Sequence, residues 1–286
     1  MTSEEKKLTV NRILIFLVLS FVPVYLISIF GTNKDCEFKT QFGRLSIMWY
    51  PAIANFVTRA ITKEGLEDSC LRIKLKGHGR HYAMAILLPM LLSAAAAVIE
   101  VIRSGGDYSF ARGIKQLDGG MSVMANILLC LTAAVYELDR GFGEEFGWRA
   151  YLTPKMEKLM PSPLAITVSG IIWGLWHAPL IAKGYNFGKE VHPALGIAAM
   201  CLSCVVLSFI LTWLTKRTGS VYPAAIFHIV YDSMNTVIYA VIVSGAADYD
   251  HTKDVFSNAF IFMCIVPLAA AVPMAVLDIS RRKCYN

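Results

Sequence analysis

Apolar runs recur along this chain at roughly 11–30, 45–62, 82–102, 121–140, 163–182, 194–215, 221–243 and 258–277, eight in all. Each reaches or approaches the ~20 residues that a helix needs to cross a bilayer. Inside hydrocarbon the backbone has no water to bond, so a spanning segment must satisfy its own amides and therefore winds into a helix. The expected fold class is all-α, a polytopic membrane helix bundle with about eight transmembrane helices. Only 17% of the 286 residues are charged, well below the quarter usual in soluble domains. The connections at about 63–81, 103–120 and 141–162 are too short for a soluble domain, and no internal repeat is visible. Residues 1–286 thus read as a single integral membrane domain. The second run is the weakest span, being short and carrying Asn55 and Arg59.

Charge placement orients such a bundle. The net charge of +6 comes from basic residues scattered through short connections, with no clustered basic face. That pattern fits positive-inside topology and argues against a nucleic-acid partner. Most of the 27 Lys and Arg fall on one side if both termini are cytoplasmic. The expected location is a cell membrane, crossed several times. The first run is too long for a signal-peptide core and is read as a retained span. Cys201 and Cys204 have CxxC spacing, but they sit in an apolar run without a second pair and read as small buried hydrophobes.

One polar stretch interrupts this pattern. Gly-Phe-Gly-Glu-Glu-Phe-Gly-Trp-Arg, residues 141–149, places Glu144, Glu145 and Arg149 directly after an apolar run. Charged groups at membrane depth are costly and mark functional sites by default. On a helix, Glu145 and Arg149 stand at i,i+4 and can pair, while Glu144 points roughly 100° away. Two other runs carry candidate partners. Trp173 and His177 share a face of the fifth run, with His177 about 21 Å beyond Pro163 along the helix. His228 and Asp232 share a face of the seventh, and Asn235 lies one turn further. None of these can face lipid cheaply, so convergence on one internal cavity is the simplest arrangement.

Such a set could hydrolyse an amide. A glutamate and a histidine can share a water and take its proton, and a second polar pair can stabilise the oxyanion that follows. The same residues Glu144, His177, His228 and Asp232 are plausible metal ligands, although no HExxH occurs in the chain. Two non-hydrolytic readings also fit: a peptide-binding immunity or scaffold protein, and a small transporter relaying protons through the carboxylates. The transporter reading lacks an inverted repeat.

The ordered motifs Glu144-Glu145-x-x-x-Arg149, Trp173-x-x-x-His177 and His228-x-x-x-Asp232 resemble those of the CPBP family, the CAAX proteases and bacteriocin-processing enzymes also called ABI proteins. The resemblance covers a motif-bearing core of about 120–240. It implies an intramembrane glutamic endopeptidase, with a conical or cleft-like cavity in the membrane, acting on a membrane-associated peptide or protein without a cofactor. By that resemblance Glu144 activates water with His177, while Glu145 and Arg149 support the site. His228 and Asp232 correspond to the oxyanion hole, and Trp173 to the motif aromatic; Asn235, read from its place on the same face, supports the site as a packing hydrogen bond. The chain departs from the family pattern twice: Trp173 stands where Phe is common, and Asp232 where many members have Asn. An ionised Asp cannot donate to an oxyanion, so Asp232 acts either protonated or by orienting His228.

Overall fold

A computed structural model describes residues 1–30, 41–103, 138–245 and 259–283, with isolated positions 109, 128, 132 and 256; the side chains at 41–46, 235–245 and 279–283 fall outside that description. Regular structure among the described residues is helical throughout. The first helices are α1 (Ser3–Phe30), α2 (Gln41–Thr62) and α3 (Gly79–Arg103). After α4 (Leu138–Gly147) the chain enters a π-helical turn, Trp148–Leu152, and returns to α geometry in α5 (Thr153–Glu157). Then come α6 (Ser162–Trp176), the short α7 (Ala178–Ile181), α8 (Pro193–Thr218) and α9 (Tyr222–Gly245). A second π turn, Ile261–Ile265, precedes α10 (Leu268–Lys283).

The chain is a polytopic helical membrane protein. Among the described residues four stretches are long and apolar enough to cross a bilayer by themselves: Ser3–Phe30, Gly79–Arg103, Pro193–Thr218 and Ile261–Asp278. Helices α2 and α9 match the second and seventh expected spans. The fourth expected span, 121–140, lies almost wholly outside the described residues. The fifth departs from expectation because it does not continue to residue 182. Its helix ends at Trp176, and Pro179 opens the short α7 that follows. Proline has no amide to give the carbonyl four residues back. The Tyr25 hydroxyl of α1 donates to that carbonyl, Leu175 O, at 2.8 Å. His177 therefore sits at a helix break, with its own amide bonded to Gly174 O at 3.1 Å.

Close helix crossings hold the polar segment at the centre. A Cβ on Gly143 would stand 2.6 Å from the carbonyl oxygen of Met48, and one on Gly147 would collide with Pro51. The GxxxG pair thus lets the backbone of α4 lie directly on α2. Gly170 repeats the device where α6 meets α8, its absent Cβ 2.6 Å from Val205 Cα. Helix α9 packs against both α3 and α4. Three motif-bearing helices are in this way drawn together around one point. His81 is buried on α3, and His192, exposed just before α8, caps that helix by accepting from Ala194 N. Glu100, near the end of α3, is buried and paired with Arg103 at 3.3 Å.

Candidate active site

The site begins with two adjacent carboxylates on α4, and its packing gives them different neighbours. Glu144 and Glu145 are both buried, Glu145 completely. Glu145 Oε2 pairs with Arg149 Nε at 3.1 Å, as the i,i+4 spacing expects. Its other oxygen, Oε1, meets His228 Nδ1 at 2.8 Å. Glu145 therefore bridges a cation on its own chain segment to a ring on α9. Arg149 is itself 2% exposed and extends Nη2 to Ser208 Oγ of α8 at 3.3 Å. Ser208 in turn donates to the Cys204 carbonyl at 2.6 Å. A buried charge is tolerable only when partners replace its lost hydration, and here a carboxylate, a hydroxyl and a π face do so.

That π face belongs to Trp173, the residue to which most of the site connects. The Arg149 guanidinium carbon lies 4.1 Å from the centre of the indole ring, within cation–π range. The indole N–H donates to Glu144 Oε2 at 2.6 Å. The ring meets His228 edge to face, with centroids 5.4 Å apart. One turn later His177 Nδ1 lies 3.0 Å from the Trp173 carbonyl. An Nδ1 bonded to a carbonyl must carry the proton, which leaves His177 Nε2 as a lone-pair acceptor in the neutral ring. His177 is itself enclosed by Trp176 edge-on, centroids 4.8 Å apart, and by the parallel ring of Tyr185 at 6.2 Å.

On α9, His228 stands between two carboxylates. Asp232 Oδ2 lies 3.5 Å from Nε2, opposite the Glu145 contact at Nδ1. The Asp232 side chain is 55% exposed, unlike every other member of the cluster. A ring with carboxylates at both nitrogens can donate to each only as an imidazolium. The side chain of Asn235, one turn on, lies outside the described residues.

The structure thus brings Glu144, Glu145, Arg149, Trp173, His177, His228 and Asp232 into one connected group. The contact between Glu144 and His177 runs through Trp173, which bonds one by its indole and the other by its carbonyl. Sequence reasoning missed two contributors. Ser208 is one hydroxyl within an apolar run and gave little signal. Asn55 donates to the carbonyl of Phe146 at 2.7 Å, directly behind the carboxylate pair. For a metal, the donor set on offer is Glu144, His177, His228 and Asp232. Among the described residues no three His, Cys, Asp or Glu side chains gather at ligand distance. The Nδ1 atoms of both site histidines already face protein oxygens.

Comparison with known proteins falls on this same segment. Residues 121–234 match the family model described as Type II CAAX prenyl endopeptidase Rce1-like. Every site residue from Glu144 to Asp232 lies inside that match, and Asn235 lies one position past its end. The chain is also similar to CAAX prenyl protease 2 of Methanococcus maripaludis, with 31% identity over 121 residues. That alignment covers 40% of this chain and 42% of the relative, so it spans less than half the length of either.

Proposed function

We propose, because residues 121–234 belong to the CPBP family, that this chain is an intramembrane endopeptidase that hydrolyses a peptide bond in a membrane-associated peptide or protein. The observation that carries this reading is the convergence of carboxylate and imidazole groups from three helices on one tryptophan, inside the matched segment. Glu144 is the general base. Trp173 fixes its Oε2, which leaves Oε1 to take a proton from a water that also donates to Nε2 of His177. The resulting hydroxide attacks the scissile carbonyl carbon, and the carbonyl oxygen becomes an oxyanion. Asp232 and Glu145 orient the resting His228 ring from either side, and Nε2 turns from its 3.5 Å contact with Asp232 to donate to that oxyanion. Glu144 returns its proton to the departing amine as the carbon–nitrogen bond breaks, which restores the starting state.

Within this reading Glu145 and Arg149 are positioning groups whose charges cancel one another beneath the reacting atoms. Asn235 belongs with them on α9. The mechanism requires no metal or other cofactor. The cell membrane, with both termini on the cytoplasmic side, follows from the distribution of basic residues. The relatives' names point to a prenylated carboxyl-terminal peptide as the first substrate to try.

The test is cleavage of a fluorogenic farnesylated CAAX peptide by the purified full chain in detergent. Glu144→Gln keeps the size of the side chain and its bond to Trp173 but removes the base. Turnover is expected to fall at least about 100-fold, within the range that general-base catalysis contributes. Full cleavage by that variant would overturn the assignment. Wild-type cleavage is expected to persist in a strong chelator; loss of activity reversed by added zinc would transfer the same residues to a metalloenzyme.

A further inference from the structure

Asn55 and Arg59 weaken the second apolar run as a span, and nothing in the proposed chemistry uses them. Both are nonetheless buried, Asn55 completely and Arg59 to 3% exposure. An arginine that only marked the end of a span would snorkel outward to water. Arg59 instead points inward. Its Nε donates to Asn55 Oδ1 at 2.7 Å, and its Nη1 donates to Gly65 O at 2.9 Å and to the Asp68 carboxylate. Asn55 passes the connection on by donating from Nδ2 to the Phe146 carbonyl at 2.7 Å. The Arg59 guanidinium also lies 5.2 Å from the ring centre of Tyr151, within the π turn. A continuous set of polar contacts therefore runs from the connection after α2 to the peptide group beside Glu145.

The place where it ends is informative. Phe146 stands two residues before the backbone leaves α geometry for the π turn Trp148–Leu152. A π turn inserts one residue into the helical ladder, and such steps persist where neighbouring groups satisfy the displaced backbone. The register after Gly147 decides the angle at which Arg149 meets Glu145 and the Trp173 ring. We propose that Asn55 and Arg59 form a positioning pair that holds the α-to-π step, and through it the orientation of Glu144, Glu145 and Arg149. This deepens the peptidase reading and rests on it.

Two measurements test the pair separately from that reading. The first is cleavage of the farnesylated CAAX peptide, resolved into kcat and KM. The second needs no turnover: the indole N–H resonance of Trp173 in the ¹⁵N-labelled chain, identified by its loss in Trp173→Phe. Because that indole donates to Glu144, its shift reports where the carboxylate stands. Asn55→Ala is expected to lower kcat by on the order of 10–100-fold with KM unchanged, the scale of a slight misplacement of reacting groups. It should also displace the Trp173 resonance. Arg59→Lys keeps a charge for Asp68 but loses the planar fork that reaches Asn55 as well, so it should move both readouts in the same direction and less far. Ile53→Ala, on the exposed side of α2, should move neither. If Asn55→Ala fails to fold, Arg59→Lys decides. Wild-type kcat and an unmoved indole resonance in the folded variants would overturn the pair, as would a lowered Tm with full kcat per folded molecule. If the wild-type chain cleaves nothing, the peptidase reading fails, and the resonance alone judges whether Asn55 and Arg59 position the site.

Discussion

Glu64, half-buried with its side chain 4% exposed, and the buried Glu144 are carboxylates that receive bonds from distant helices, and they are held in opposite ways. Glu64, in the connection after α2, is saturated. Its Oε1 accepts from the Tyr151 hydroxyl at 2.7 Å and from Thr62 at 3.0 Å, and Arg12 Nε lies 3.1 Å away. Its Oε2 is paired with Lys155. Glu144, on α4, has among the described residues one hydrogen bond, from Trp173. A carboxylate offers about four lone-pair sites. Glu64 has committed most of them to structure, and Glu144 keeps most of its own available. Burial and charge are therefore poor guides to reactivity when taken alone, and the better guide is what each oxygen still has to offer.

The sharpest way to break this contrast is to neutralise both carboxylates in parallel. Glu144→Gln should abolish nearly all turnover, at least about 100-fold, while leaving Tm close to wild type. If it instead unfolded the protein and kept its residual activity, Glu144 would belong with Glu64 as a structural acid. A smaller effect is expected from Trp173→Phe. The benzene ring can still sit beneath Arg149, but the donor to Glu144 is lost, and kcat should fall by about tenfold, the cost of one buried hydrogen bond to a charged group. Measured kcat equal to wild type would mean that the indole N–H does not help hold the base. The smallest effect on turnover belongs to Glu64→Gln, which should leave kcat per folded molecule unchanged and lower Tm.

That last variant also has a pH signature. Burial pushes the Glu64 carboxyl up, but the Lys155 ammonium and the Tyr151 hydroxyl outweigh it and hold the carboxyl below its ordinary range. A depressed carboxylate adds stability that is present above the unfolded value, about 4.3, and is lost as pH falls through the lower folded value. The gap in Tm between wild type and Glu64→Gln should therefore be widest near neutrality and should close progressively in acid. A gap that stayed constant down to that range would mean that the ion pair with Lys155 does not stabilise the fold.

Much of this site was legible in the sequence, because charged residues inside apolar runs have few places to go. The pairing of Glu145 with Arg149, and the meeting of side chains from α4, α6 and α9, follow from spacing and from the cost of facing lipid. Three features were not legible, each for a physical reason. Trp173 stands where Phe is common, yet its N–H is a donor that Phe lacks, and only the tertiary fold brings it to Glu144, 29 residues away. Helical periodicity assumes one register throughout, so the π turn at Trp148–Leu152 left no trace in the pattern. Asn55 and Arg59 looked like defects in a span because nothing local revealed an inward partner; Phe146 lies 91 residues away from Asn55 in sequence. Asp232 is the intermediate case. The sequence left it two options, a protonated donor or an orienter of His228, and it lies 3.5 Å from His228 Nε2.

The break beneath His177 carries a consequence for how the chain is built. Its exposed carbonyl at Leu175 is covered by Tyr25, 150 residues earlier, and neighbouring Trp176 donates its indole N–H to Ser20 O, 156 residues earlier. Both partners lie on α1, which precedes α6 in the chain and lies outside the matched segment 121–234. During synthesis α1 must wait in the bilayer, with the Tyr25 hydroxyl uncommitted to Leu175, until α6 has been inserted. The surroundings of His177 consequently come together only after α6 has joined α1. A nascent chain that ends before α6 holds the Tyr25 hydroxyl and the Ser20 carbonyl without their partners at Leu175 and Trp176.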